Sequence, residues 1–146
     1  MSKTININKE MLFAESIEDI EYAMLCQQDK IDIPVKHYFL DGMYVREIYM
    51  PKGSLLIGHA HSKEFMEVMS KGKVLMFNNE GSFEVTAPFT RRSEPKKRKV
   101  GYVLEDTIWT TFHATDAKTV EDAEDEIIVK SETFIKYEKE RGKICQ

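Results

Sequence analysis

Residues 54–77 read SLLIGHAHSKEFMEVMSKGKVLMF. Apolar residues recur in short runs. The polar breaks at Ser62-Lys63 and Lys71-Gly72 are turn signals, so the stretch reads as successive β-strands rather than a helix. Side chains alternate along a strand, which puts His59 and His61 on the same face as Leu55 and Ile57, the face expected to meet a core. Two imidazoles so spaced can reach one common point inside the fold.

The same pattern continues on both sides. Upstream lie VKHYFL (35–40), the turn Asp41-Gly42, MYVREIYM (43–50) and the turn Pro51-Lys52-Gly53. Downstream, Asn78-Asn79-Glu80-Gly81 leads into SFEVTA (82–87), which Pro88 ends. KVGYVL (99–104) and IWTTFHA (108–114) follow, divided by Glu105-Asp106. Many short strands with regularly spaced turns predict an all-β sandwich or barrel, and the lack of long helices between them disfavours a parallel βαβ sheet.

Short helices are expected at both termini. SIEDIEYAMLCQQ (16–28) carries Ser16 as N-cap and sets Ile17, Ile20 and Met24 on one face. Thr119 is placed to cap VEDAEDEI (120–127), with Val120, Ala123 and Ile127 facing the β region. The tail to about residue 141 reads as a second short helix or a packed arm. With 146 residues and neither linker nor repeat, one domain over 1–146 is expected, its β region at about 35–115.

The formal net charge of −4 gives no overall attraction to nucleic acid or an anionic membrane. No apolar run approaches the ~18 residues of a membrane span. The first residues lack the apolar core and cleavage site of a secretory signal. Cys26 and Cys145 lie far apart and read as free thiols of a reducing compartment. A cytoplasmic protein is therefore expected. The dense basic run RRSEPKKRK (91–99) contains Pro95 and reads as a loop. It has no recognition helix, which argues against sequence-specific nucleic-acid binding. It is either an anion site near a pocket mouth, through Arg91, Arg92 and the neighbouring lysines, or a solvated loop that keeps a sheet edge from pairing.

Three of the four histidines, His59, His61 and His113, lie near strand ends. His113 shares its strand face with Trp109 and Thr111, the candidate pocket wall. Neutral imidazoles bind divalent first-row metals, and three of them on a rigid scaffold leave positions open for water or substrate. The same rings could equally be hydrogen-bonding groups of a metal-free polar pocket. His37 stands alone and reads as a surface or satisfied core histidine.

Gly53-x5-His59-x-His61 followed by Gly72 resembles the first cupin motif. At its glutamate position this chain has Phe65, which cannot ligate a metal. Glu64 precedes it, and Glu67 follows on the same strand face. The second cupin motif survives only as His113. A more specific resemblance covers residues 53–115. GHAHSKEFMEVMSKGKVLMF, VTAPFT and KVGYVLEDTIWTTFHAT look like a group of small cupin-like proteins encoded by phages and prophages. The resemblance implies a compact jelly-roll barrel and a pocket built from His59, His61 and His113. By analogy it also implies a homodimer.

Two main readings stay open. In one, His59, His61 and His113, with Glu67 completing the shell or acting as a base, hold zinc, iron, manganese or nickel beside a small polar molecule. Phe65, Trp109 and Thr111 then line the ligand site. In the other, the barrel binds or sequesters a small anionic metabolite or nucleotide without metal, helped by Arg91 and Arg92. A structural or host-interaction protein with a vestigial pocket is the third.

Overall fold

The computed structural model describes residues 17–25, 32–78 and 81–140. Ser16, Cys26 and Cys145, on which sequence expectations fell, lie outside them. The β region runs β1 (Val35–Leu40), β2 (Met43–Met50), β3 (Leu55–Ile57), β4 (Ala60–His61), β5 (Phe65–Asn78), β6 (Gly81–Thr86), β7 (Phe89–Ser93) and β8 (Val100–Ala114). Helix α1 (Ile17–Leu25) precedes it, and α2 (Val120–Ile127), β9 (Ile128–Val129) and α3 (Glu132–Glu140) follow.

The long strands β5 and β8 organise everything else. Their first and second halves pair with different neighbours, and all pairings are antiparallel. Residues 107–114 of β8 lie between β2 and the first half of β5, giving one layer in the order β1-β2-β8-β5-β7. Residues 100–105 of β8 lie between β3 and the second half of β5, which carries β6 on its far side. The sheet thus folds over on itself into two layers.

The bend falls where the sequence reading placed two turns. Lys71-Gly72 and Glu105-Asp106 do not end strands; they mark register shifts between Met69 and Val74 that let both strands bend together. Gly72 has φ +104°, and a Cβ there would lie 2.2 Å from Thr107 Oγ1 and 2.6 Å from the Asp106 carbonyl oxygen, so only glycine fits.

Met50, Met69 and Trp109 of one layer meet Val74, Met76, Val85 and Val103 of the other in the main core. Among the described residues no backbone pairing joins the outer edges, so the jelly roll is an open sandwich rather than a closed barrel. Its physical cause lies in β3, which is only three residues long, and in β4, which leaves the sheet to pair with β9.

The helices close the remaining flanks. Ile17 and Ile20 of α1 pack with Leu55, Phe77 and Val100. In α2, Ala123 and Ile127 pack against Tyr44, and Thr119 caps the helix by accepting the Asp122 amide at 3.2 Å. No described helix is long and apolar enough to cross a membrane.

Candidate functional site

A cavity of about 880 Å³ lies between the layers. Strand register arranges its inner wall in rungs, because inward positions on β2, β8 and β5 stand side by side. Tyr44 pairs with His113, Arg46 with Thr111, and Ile48 with Trp109. On the other side of β8, Glu67 pairs with Thr111 and Met69 with Trp109. All of these except Met69 line the cavity, as do Phe65 and His61.

The first rung is a file of rings. Tyr44 stacks on His113 at 5.8 Å between centroids, and His113 stacks on His61 at 5.4 Å, with only 9° between the imidazole planes. Phe65 closes the group, 4.3 Å from His61 and 4.8 Å from His113. Burial pushes both imidazoles down to about 4; Arg46 adds to this in both, while Glu67 opposes it at His61. Both rings are therefore neutral near pH 7. Thr111 shares a 2.8 Å hydrogen bond with His113 Nε2. His37, exposed on β1, shares a 2.6 Å hydrogen bond between its Nδ1 and the Tyr44 hydroxyl, in keeping with a surface, satisfied histidine.

The second rung is charged. Glu67 is only 4% exposed, and both its oxygens are taken. Arg91 Nη2 donates to Oε2 at 2.9 Å, and Lys99 Nζ donates to Oε1 at 2.5 Å. Burial lowers the Lys99 pKa, and Glu67 opposes that shift. Arg46, directly across β8, is different. Among the described residues no carboxylate lies within ion-pair distance of it, whereas Arg91, Arg92 and Arg98 each have one. Arg46 reaches far enough in to hold down the protonation of both His61 and His113.

His59 does not join the ring file. β3 ends at Ile57, and the backbone of Gly58 is captured by the loop that follows β7. The Gly58 amide donates to the Lys99 carbonyl at 3.1 Å, and Arg98 Nε donates to the Gly58 carbonyl at 2.9 Å. Alternation holds only along an unbroken strand. With the strand interrupted, His59 lines the same cavity but turns its ring edge-on to Phe134 of α3, at 4.7 Å and 83°. Its Nδ1 is buried without a hydrogen-bond partner.

The basic run is divided by the fold. Residues 91–93 belong to β7, which the sequence reading took for loop. Arg91 turns to Glu67; Arg92 is exposed, 3.6 Å from the equally exposed Glu64. Lys97 and Lys99 line the cavity, and Arg98 binds Glu21 of α1 through Nη2 at 2.6 Å. Sequence reasoning missed Arg46 and Tyr44. The signal was present in MYVREIYM, where alternation sets Arg46 between Tyr44 and Ile48 on the apolar, inward face.

Solved structures bear on this architecture. A cupin superfamily protein from Desulfitobacterium hafniense superposes with a TM-score of 0.51 at 5% identity, over 62% of this chain and 84% of its own. An RmlC-like cupin family protein with a double-stranded β-helix fold from Methanocaldococcus jannaschii gives 0.51 at 10% identity, over 62% and 86%. A protein with a double-stranded β-helix domain from Klebsiella pneumoniae gives 0.52 at 11% identity, over 67% and 90%. This chain has the cupin fold. At such identities the likeness concerns the fold alone. No protein-family model matches the chain, and no curated protein does.

A cupin fold raises the question of a resident metal, and the donor set answers it. Among the described residues no three His, Cys, Asp or Glu side chains are placed to hold one ion. Phe65 fills the space beside His61 and His113 with a phenyl ring. Glu67 has both oxygens in ion pairs, and the His59 ring is set edge-on to Phe134 of α3. The residues as placed do not fit a divalent metal.

Proposed function

We propose that this cupin-fold protein binds a small anionic molecule in its inter-layer cavity, without metal. The observation that carries the reading is Arg46, a cation inside the cavity with no carboxylate partner among the described residues. A guanidinium in a half-buried site offers two parallel donors to an oxyanion, and its desolvation is offset only when an anion is present. His61 and His113, kept neutral, supply hydrogen bonds without altering the charge. Lys99 adds a second cation, already oriented by Glu67.

Titration calorimetry with a panel of carboxylates and phosphates, run in a chelator, tests it. Binding at one site per chain is expected, with Arg46→Gln weakening it at least tenfold while circular dichroism stays unchanged. Stoichiometric uptake of zinc, iron, manganese or nickel that is lost in His61→Ala and His113→Ala, with no anion bound in chelator, would reject the reading in favour of a metal site.

A further inference from the structure

The charged rung has an apolar neighbour in the same cavity. One step along β2 and β8 from Arg46 and Thr111, about 7 Å away, stand Ile48 and Trp109. From the other layer Leu56, Val74, Met76 and Val103 line the cavity too, with Met50 beyond Ile48 on β2. These side chains belong to the main core and also line the cavity, so its wall beyond the charged rung is apolar and suits an apolar occupant.

We propose that the ligand is an amphipathic monocarboxylate, one carboxylate joined to a short aliphatic chain or a single aromatic ring. This rests on the anion-binding reading above and names the class of anion. The carboxylate lies on Arg46 and Lys99, and the apolar body extends to Trp109 and Ile48. The apolar wall next to the charged rung favours an organic anion over inorganic phosphate. Inorganic phosphate would leave the apolar wall empty, and its outer oxygens would face side chains that offer no hydrogen bond. The planar guanidinium also matches a carboxylate in two-point contact. A sugar or other polyol would leave its hydroxyls unpaired against the Trp109 rung.

Trp109 is the only tryptophan of the chain, so its fluorescence reports on the apolar end alone. Acetate, hexanoate, phenylacetate, phenylacetamide and inorganic phosphate are titrated in chelator, followed by calorimetry and by Trp109 emission. Hexanoate and phenylacetate are expected to bind at least tenfold more tightly than acetate, since each methylene buried gains about fourfold. Both should shift the emission, and acetate should not. Phenylacetamide, which lacks the charge, should bind at least tenfold more weakly than phenylacetate. Ile48→Asn should bring hexanoate down to the acetate affinity; the chain-length series in the native protein stands even where that variant does not fold. Acetate or phosphate binding as tightly as hexanoate would overturn this inference and leave the anion site standing. Binding of no anion without added metal would overturn both.

Discussion

Two imidazoles stacked at 5.4 Å beside a phenyl ring stay uncharged over most of the accessible pH range. Their folded pKa values, about 4, lie below the ordinary 6.5. Above pH 6.5 both states are neutral and the rings add no pH dependence. As pH falls from 6.5 towards 4 the unfolded chain takes up protons that the folded one refuses, so stability declines, by up to about 1.4 kcal/mol per pH unit for each ring. The urea midpoint should therefore drop steadily between pH 6.5 and 4.5, and a His61→Gln/His113→Gln variant should flatten the profile over that window. A native profile already flat there would contradict the burial of these rings. At this scale the sequence was a partial guide. The proximity of His61 and His113 was implied by the cupin resemblance, and the inward turn of Glu67 followed from strand alternation. The departure of His59 did not, because it depends on hydrogen bonds to a loop some forty residues away. Glu67 reads as a free ligand until Arg91 and Lys99 are seen to hold it.

Elements were legible where a local pattern decides them. Strands β1, β2 and β6 and the Thr119-capped helix follow from alternation and capping, both short-range. The bend in β5 and β8 does not. A Lys-Gly pair and a Glu-Asp pair look like turns in isolation, and only their juxtaposition across the sheet makes them a shared bend. β7 was hidden because its cations look solvated until Glu67 supplies a buried partner for Arg91. The bend gives a sharp expectation. Gly72→Ala would force a positive φ on a residue with a side chain and drive that side chain into the Asp106 carbonyl. A loss of about 2–4 kcal/mol is expected, measurable as a fall in urea midpoint with the far-ultraviolet circular dichroism of the native state retained. A loss below about 0.5 kcal/mol would mean that the two strands do not approach as described.

In the whole molecule, segments remote in sequence converge beside the cavity. Glu21 of α1 is 2% exposed. It holds Arg98 through Nη1 and Nη2 and accepts a hydrogen bond from the Ser131 hydroxyl, 110 residues away in the chain. Burial alone would raise the Glu21 pKa, but Arg98 and Ser131 outweigh it and hold the carboxyl below its ordinary value. Such a knot can be tied only after the sandwich has set the loop and the final helix in place, since bringing such distant segments together early is entropically costly. It is expected to form on the late side of the folding barrier. Replacing Glu21 by alanine should leave the refolding limb of a chevron almost unmoved and raise the unfolding rate at least tenfold. In that sense the fastening guards the lifetime of the native state rather than the speed with which it is reached.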